Sequence, residues 1–318
     1  NVGARIGATL FDAELAGRFR PTGVTGPIGA ACAGARLLGL DADCITAAIG
    51  QAANCVAGLN NWPWAGSTEV FFHAGNGARN AVTAALLAQA GEHVSPSALD
   101  GQGGLYDAYQ RHGRARGLAE GMEAFQALRE IYFKPAPACN FVQTACQAGL
   151  ALSQAGVTAA DVTAIEVATF PAAAQYPGCN FAGPFQRLVQ AKMSIQFSVA
   201  ATLVQGALRE SAFTRLDDPE LLRLVGVTTM TLDPEFTAAF PAKQGAGVTV
   251  TLKDGTLRSR RLPDVRPCEP PEIHARFRAA AEAAFGPAQA ETLETFVMRL
   301  DTEGDARTLI PLLVAQDA

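Results

Sequence analysis

The clearest alternation of apolar and polar positions is Val248-Thr249-Val250-Thr251-Leu252-Lys253. It breaks at Asp254-Gly255 and resumes through Thr256-Leu257-Arg258. Period-two alternation on both sides of an Asp-Gly turn predicts a β-hairpin. Ile165, Val167 and Thr169 alternate with Glu166 and Ala168, which predicts a strand over 162–170, and 225–232 also reads as strand. Elsewhere apolar residues recur every three or four positions, the mark of a helix with one buried face. Val2, Ile6 and Leu10 open such a helix, expected to end near Ala16-Gly17. Ile45, Ile49, Ala52 and Val56 share a face of another, capped by Asp41 or Asp43. Ala78, Val82, Ala85, Leu86 and Gln89 follow helical spacing up to a stop at Gly91.

These elements divide the chain. Residues 1–132 read as nearly all helix, interrupted by a turn-rich loop over Phe19 to Pro27 and by a short helix beginning at Pro96. The run from Gly29 to Ala35 is built of small residues, which allow close helix approach. Pro135 and Pro137 force an extended path. A helix over 140–155, the strands and the hairpin then make 133–268 an α+β unit. Pro270-Pro271 begins the tail helices, which have too little apolar surface for a core of their own. They are expected to pack back on the first domain. The expected fold is therefore mainly α with an α+β part: a large discontinuous helical domain, 1–132 and 269–318, plus a smaller α+β unit, 133–268. The chain opens at Asn1 inside an amphipathic pattern, and reads as the C-terminal portion of a longer protein.

Composition narrows the function. Of 318 residues, 49% are hydrophobic and 17% charged, with net charge −5. This is a globular chain without the basic surface that nucleic acid or an anionic membrane would select. No uninterrupted apolar segment is long enough to span a bilayer. The seven cysteines form no CxxC and no zinc-type spacing with histidine, so no metal site is expected and reduced core thiols are the simple reading. Gly101-Gln102-Gly103-Gly104 lacks the pattern and the lysine of a phosphate loop.

The stretch Gly66 to Asn80 holds His73, one of only four histidines, between two phenylalanines and a glycine pair. Placed at the mouth of a helix, it is a candidate acid or base near neutral pH. Arg20 and Lys134 are cations in proline-flanked loops and candidates to clamp carboxylates. Thr22, Ser67, Thr68, Asn140 and Gln143 are candidate hydrogen-bonding groups. Such a set suits a small polycarboxylate that loses a proton beside a carboxylate. Each residue also has a structural reading: His73 as a core histidine, Arg20 as a helix C-cap, Lys134 as a surface lysine.

Several motifs together carry a family resemblance: Phe19-Arg20-Pro21-Thr22-Gly23, the Gly29–Gly39 run, Gly66-Ser67 through His73-Ala74-Gly75, Lys134-Pro135-Ala136-Pro137-Ala138-Cys139, Gln196-Phe197-Ser198 and Asp254-Gly255. With them the chain resembles the MmgE/PrpD family across almost its whole length. The resemblance implies a helical domain with an α+β lid and an active site between them. It implies a cofactor-free, cytosolic, usually dimeric lyase, a dehydratase or a decarboxylase, of small di- or tricarboxylates, 2-methylcitrate dehydratase-like. It implies catalytic roles for His73 and Lys134 and substrate contacts from Arg20, Thr22, Ser67, Cys139 and Gln143. Three positions differ from the family habit: Arg20 and Gln143 stand where histidine is common, and Val70 where lysine is. An epimerase, or a non-catalytic carboxylate-binding homologue, are the alternative readings. The family's N-terminal helices have no counterpart in this sequence.

Overall fold

The computed structural model describes residues 1–121 and 127–314; parts of the first helical stretch and of the tail, 122–126 and 315–318, lie outside the described residues. The described chain falls into two compact units. The first joins residues 1–131 to 136–266, and the second joins 132–135 to the tail from Pro267.

In the first unit, α1 (Val2–Leu10), α2 (Ala13–Arg18), α3 (Pro21–Leu37), α4 (Ala42–Ala53), α5 (Trp62–Ala65), α6 (Glu69–Gln89), α7 (Leu105–Ala108) and α8 (Ala127–Glu130) come first. Then α9 (Gln143–Gln154), β1 (Val162–Thr169), α10 (Pro171–Gln175), α11 (Leu188–Met193), α12 (Ile195–Gln205), α13 (Pro219–Gly226), β2 (Thr228–Leu232), α14 (Pro234–Ala239), β3 (Ala246–Leu252) and β4 (Leu257–Leu262) follow. The sheet order is β2-β1-β3-β4, parallel between β1 and β2 and antiparallel elsewhere. The fold is thus mainly helical with a small mixed sheet, as the patterning predicted.

This unit has two hydrophobic cores. One gathers Ile6, Leu10, Val24, Ile28, Ala48, Ala81 and Ala85 from α1, α3, α4 and α6. The other gathers Val142, Leu152, Ile165, Phe197, Leu221 and Val250 around the sheet, α9, α12 and α13. Small residues let the helices of the first core approach: a Cβ on Gly77 would stand 3.3 Å from Pro27, and one on Gly34 would stand 3.4 Å from Ala85. Helix α6 serves both cores. Its Val70 and the nearby Trp62 belong to the α+β core, while Ala81, Ala84 and Ala88 belong to the helical one. His73 lies on α6 between these two stretches.

Several sequence boundaries moved. The first predicted helix is two, because Asp12 caps α2 by accepting the Leu15 N–H (2.9 Å). Phe19 to Pro27 is mostly helix, not loop: Pro21 occupies the first turn of α3, where no donor is needed, and Pro27 sits inside it. Pro96 begins a turn and not a helix; the helix there is α7, which starts at Leu105. Helix α6 starts at Glu69, so His73 is in its second turn and not at its mouth. The cap at Asp41 and the hairpin stand where the sequence put them.

In the second unit, α15 (Pro270–Phe285), α16 (Pro287–Met298) and α17 (Leu309–Leu312) accompany the segment 132–135. The Cys268 N–H donates to Phe133 O (3.0 Å), and the Arg276 guanidinium donates to Lys134 O (2.6 Å). Among the described residues no helix is long and apolar enough to cross a membrane.

Candidate functional site

The site begins with a proline. Pro27 has no N–H to give the Gly23 carbonyl one turn earlier. That carbonyl instead accepts the N–H of Ala57 (3.2 Å). Two further backbone bonds extend the contact: Arg20 N–H to Gly58 O and Asn60 N–H to Arg18 O, both 2.9 Å. The loop before α5 is thereby laid antiparallel on the entry to α3, with Phe19 and Leu59 as bridge partners. Gly23 makes the approach possible, since a Cβ there would lie 2.0 Å from Ala57 O.

This stitching brings Arg20 and His73 to the same loop. The His73 ring packs on Gly58, whose φ of +143° suits glycine; a Cβ on Gly58 would stand 3.4 Å from His73 Nδ1. The guanidinium of Arg20 lies over the ring of Trp62, 5.3 Å from its centroid. The Arg20 charge acts on His73. Burial first, and the Arg20 charge second, push the His73 pKa down, with Glu69 opposing. Arg20 itself is half-buried, and its pKa is lowered by that burial while Tyr176 and Cys139 pull it back up. Arg20 stays charged regardless. Among the described residues no carboxylate stands within ion-pair distance of it.

The polar atoms around this cation are conspicuously underused. Asn60 Oδ1, Trp62 Nε1 and His73 Nδ1 are buried and have no hydrogen-bond partner among the described residues. Asn60 is held by donating its Nδ2 to Ala16 O (2.7 Å), so its oxygen is left as an acceptor. Tyr176 completes the wall. Burial raises its pKa, while Asn60 and Arg20 beside it act in the opposite sense.

The other residues singled out in the sequence divide. Cys139 lies near Arg20 and Tyr176, close enough for their charges to interact. Ser67 is half-buried and hydrogen-bonds the Glu69 carboxylate at the start of α6, lowering its pKa. Thr22 is exposed on the first turn of α3. Gln143 is fully buried, and its amide is occupied. Its Oε1 accepts the Ala136 N–H (2.8 Å), and its Nε2 lies 2.9–3.1 Å from the carbonyls of Ala136, Ala138 and Cys139. It braces the loop that carries Cys139. Val70 is also buried, packed in the α+β core where a lysine head would be costly. Lys134 belongs to the second unit, with an exposed residue environment and a carbonyl held by Arg276.

Tyr176 also borders a cleft of about 780 Å³ lined by Phe11, Phe141, Phe240 and residues of α2. Its charged lining residues are Asp12, Glu14 and Arg18, and both acids are paired to arginine. Asn60, Trp62 and Tyr176 were missed in the sequence as site residues. Trp62 had the one usable signal, a tryptophan in the loop leading to His73. Among the described residues no cluster of three or more His, Cys, Asp or Glu side chains is arranged to hold a metal ion.

Comparison with known proteins agrees with the motifs. Residues 1–116 match the MmgE/PrpD N-terminal domain and residues 136–302 the MmgE/PrpD C-terminal domain. The chain is 31% identical over 260 residues to 2-methylcitrate dehydratase of Cupriavidus necator, covering 77% of this chain and 52% of that protein. It is 24% identical over 343 residues to cis-aconitate decarboxylase of Mus musculus, covering 98% of this chain and 67% of that protein. The chain spans about half the length of the first relative and two thirds of the second. Both halves of this sequence are thus accounted for by one lineage: the chain belongs to the MmgE/PrpD family.

Proposed function

We propose that this chain carries the site of a lyase acting on a small di- or tricarboxylate, with water elimination as the first reading. The observation that supports it is Arg20: a half-buried cation without a carboxylate partner, ringed by unpartnered buried polar atoms of Trp62 and His73. A carboxylate is the group that such a set lacks. It would take charge-assisted bonds from the guanidinium and accept the indole N–H.

The chemistry follows from the lowered His73 pKa. An imidazole that is neutral at pH 7 is ready to receive a proton. It would remove one from the carbon next to a substrate carboxylate. The electron pair left behind spreads into that carboxylate, where Arg20 stabilises the growing charge. Hydroxide then leaves the neighbouring carbon and takes the proton that His73 removed, so one water is lost and the imidazole is neutral again. Lys134 is carried as a catalytic residue on the family resemblance alone, and Ser67, Thr22 and the Cys139 loop are proposed to border the substrate. Gln143 enters as the brace of that loop. The assignment of 269–318 to the helical domain, the absence of a cofactor, a homodimer and a cytoplasmic setting belong to the same proposal and rest on the family resemblance.

The test is turnover of a panel of citrate-like hydroxy acids and aconitate-like acids by the whole protein and its His73→Gln and Lys134→Ala variants. The proposal expects loss of turnover on one class, by at least about 100-fold for His73→Gln. Unchanged turnover in both variants removes these residues from the reaction.

A further inference from the structure

The sulfurs of Cys139 and Cys179, 40 residues apart in sequence, lie 3.8 Å from each other. Both backbones are held where they are. Cys139 N–H donates to Lys192 O (2.8 Å), and Cys139 O accepts from the Gln143 amide (2.9 Å). Cys179 N–H donates to Tyr176 O (3.0 Å), and Cys179 O accepts from Ile195 N–H (2.9 Å). Two thiols are thus presented to each other by α9, α11 and α12, beside the cation of the candidate site.

We propose that Cys139 and Cys179 are a reversible oxidation site, in which hydrogen peroxide converts the thiol pair into a disulfide that alters the Arg20 anion site. The second half of this statement rests on the function proposed above; the first does not.

Their environments assign the roles. Cys139 is partly exposed and lies near the Arg20 cation, the kind of electropositive, partly accessible setting in which reactive cysteines are found. Cys179 is fully buried. Its hydrogen bond with Cys139, and then burial, hold its pKa well up, so it remains a thiol until Cys139 has reacted. The Cys139 thiolate attacks one oxygen of peroxide, the O–O bond breaks, and the departing hydroxide takes a proton to become water. Cys139 is then a sulfenic acid. The Cys179 sulfur attacks that sulfur; the S–O bond breaks, and the hydroxyl leaves as a second water with the Cys179 proton. Two thiols have lost two electrons and two hydrogens, and one peroxide has become two waters.

The bond requires movement. A disulfide is about 2.05 Å long, so the sulfurs close by about 1.8 Å. Cys139 and Tyr176 are the two groups whose charges act on Arg20, and Tyr176 is tied through its carbonyl to Cys179. Oxidation therefore draws on both flanks of Arg20 together.

The experiment uses the reduced full chain, treated with hydrogen peroxide, alkylated and mapped by mass spectrometry. The expected result is loss of two hydrogens, a linked peptide containing Cys139 and Cys179, and reversal by dithiothreitol. Cys179→Ser is expected to block the link and leave Cys139 to gain two oxygens; Cys139→Ser, at the partly exposed position, is the second variant should the buried one not fold. Recovery of both cysteines as alkylated thiols, while exposed Cys55 is oxidised, overturns the site. The thermal shift given by citrate is then compared for reduced and oxidised protein. A shift at least halved by oxidation supports the coupling, and an equal shift overturns it. Absence of any citrate shift in the reduced protein counts against the Arg20 site itself, while the disulfide map is read independently of it.

Discussion

The guanidinium of Arg20 stands 5.3 Å from the centroid of the Trp62 ring, and the indole nitrogen of that ring is buried without a hydrogen-bond partner among the described residues. A cation–π contact of this kind is worth about 0.5–2 kcal/mol. It compensates only in part for withdrawing a charge from water.

Removing that charge separates binding from folding. Arg20→Met is expected to weaken citrate or a similar tricarboxylate by about 10–100-fold, the loss of about 1.5–3 kcal/mol for a hydrogen bond to a charged group. Its melting temperature is expected to stay within a few degrees of wild type, because the desolvation cost of the cation disappears along with the stacking. Calorimetric titration and thermal unfolding on the same preparation check both halves.

His73 predicts a pH dependence with a definite sign. Its pKa is depressed in the folded chain by burial and by Arg20, so the unfolded chain binds the proton more tightly. The contribution of His73 to stability is full above about pH 6.5 and is lost as pH falls through the depressed folded value. Wild type is expected to lose stability on acidification through this window more steeply than His73→Gln. Urea unfolding at half-unit pH steps reads the difference; identical slopes contradict it.

Gln143 makes a stability prediction at a position where sequence reasoning placed a substrate contact. Its amide ties Ala136, Ala138 and Cys139 to the first turn of α9. Gln143→Leu strands these backbone groups in a buried site and is expected to cost about 2–4 kcal/mol. The urea midpoint should fall accordingly; a change under about 0.5 kcal/mol would mean that the loop does not depend on the amide.

Gly23→Ala tests the seam between α3 and the loop before α5. The new methyl would meet Ala57 O at 2.0 Å, a contact that can be relieved only by moving backbone. We expect destabilisation of about 3 kcal/mol or more. The neighbouring Thr22→Ala, on an exposed position, is the control and is expected to change stability by less than about 0.5 kcal/mol.

Local signals were legible and tertiary ones were not. Asp254-Gly255 and Asp41 act through bonds to residues two or three positions away, so the hairpin and a helix start could be read from the chain. Pro21 and Pro27 were misread as loop because their effect depends on what replaces the missing bond, and the replacement for Pro27 is Ala57, thirty residues on. His73 and Arg20 stood out by residue type and motif. Asn60 and Tyr176 did not, because an asparagine and a tyrosine become site residues only when Ala16 orients the one and Arg20 approaches the other. Gln143 was visible in its motif, but its buried bracing role follows from the return of the loop 136–139 onto α9.

The two tryptophans offer the most direct measurement of the central claim, because Trp62 is buried in the site and Trp64 is half exposed two residues away. Their indole N–H resonances are followed by NMR as citrate, tricarballylate and aconitate are titrated into the protein. If Arg20 and Trp62 receive a carboxylate, the Trp62 signal moves downfield and saturates with at least one of these acids, and it does not move in Arg20→Met. A Trp62 signal that stays in place with all three acids at millimolar concentration, or that moves equally in Arg20→Met, contradicts an anion site at Arg20.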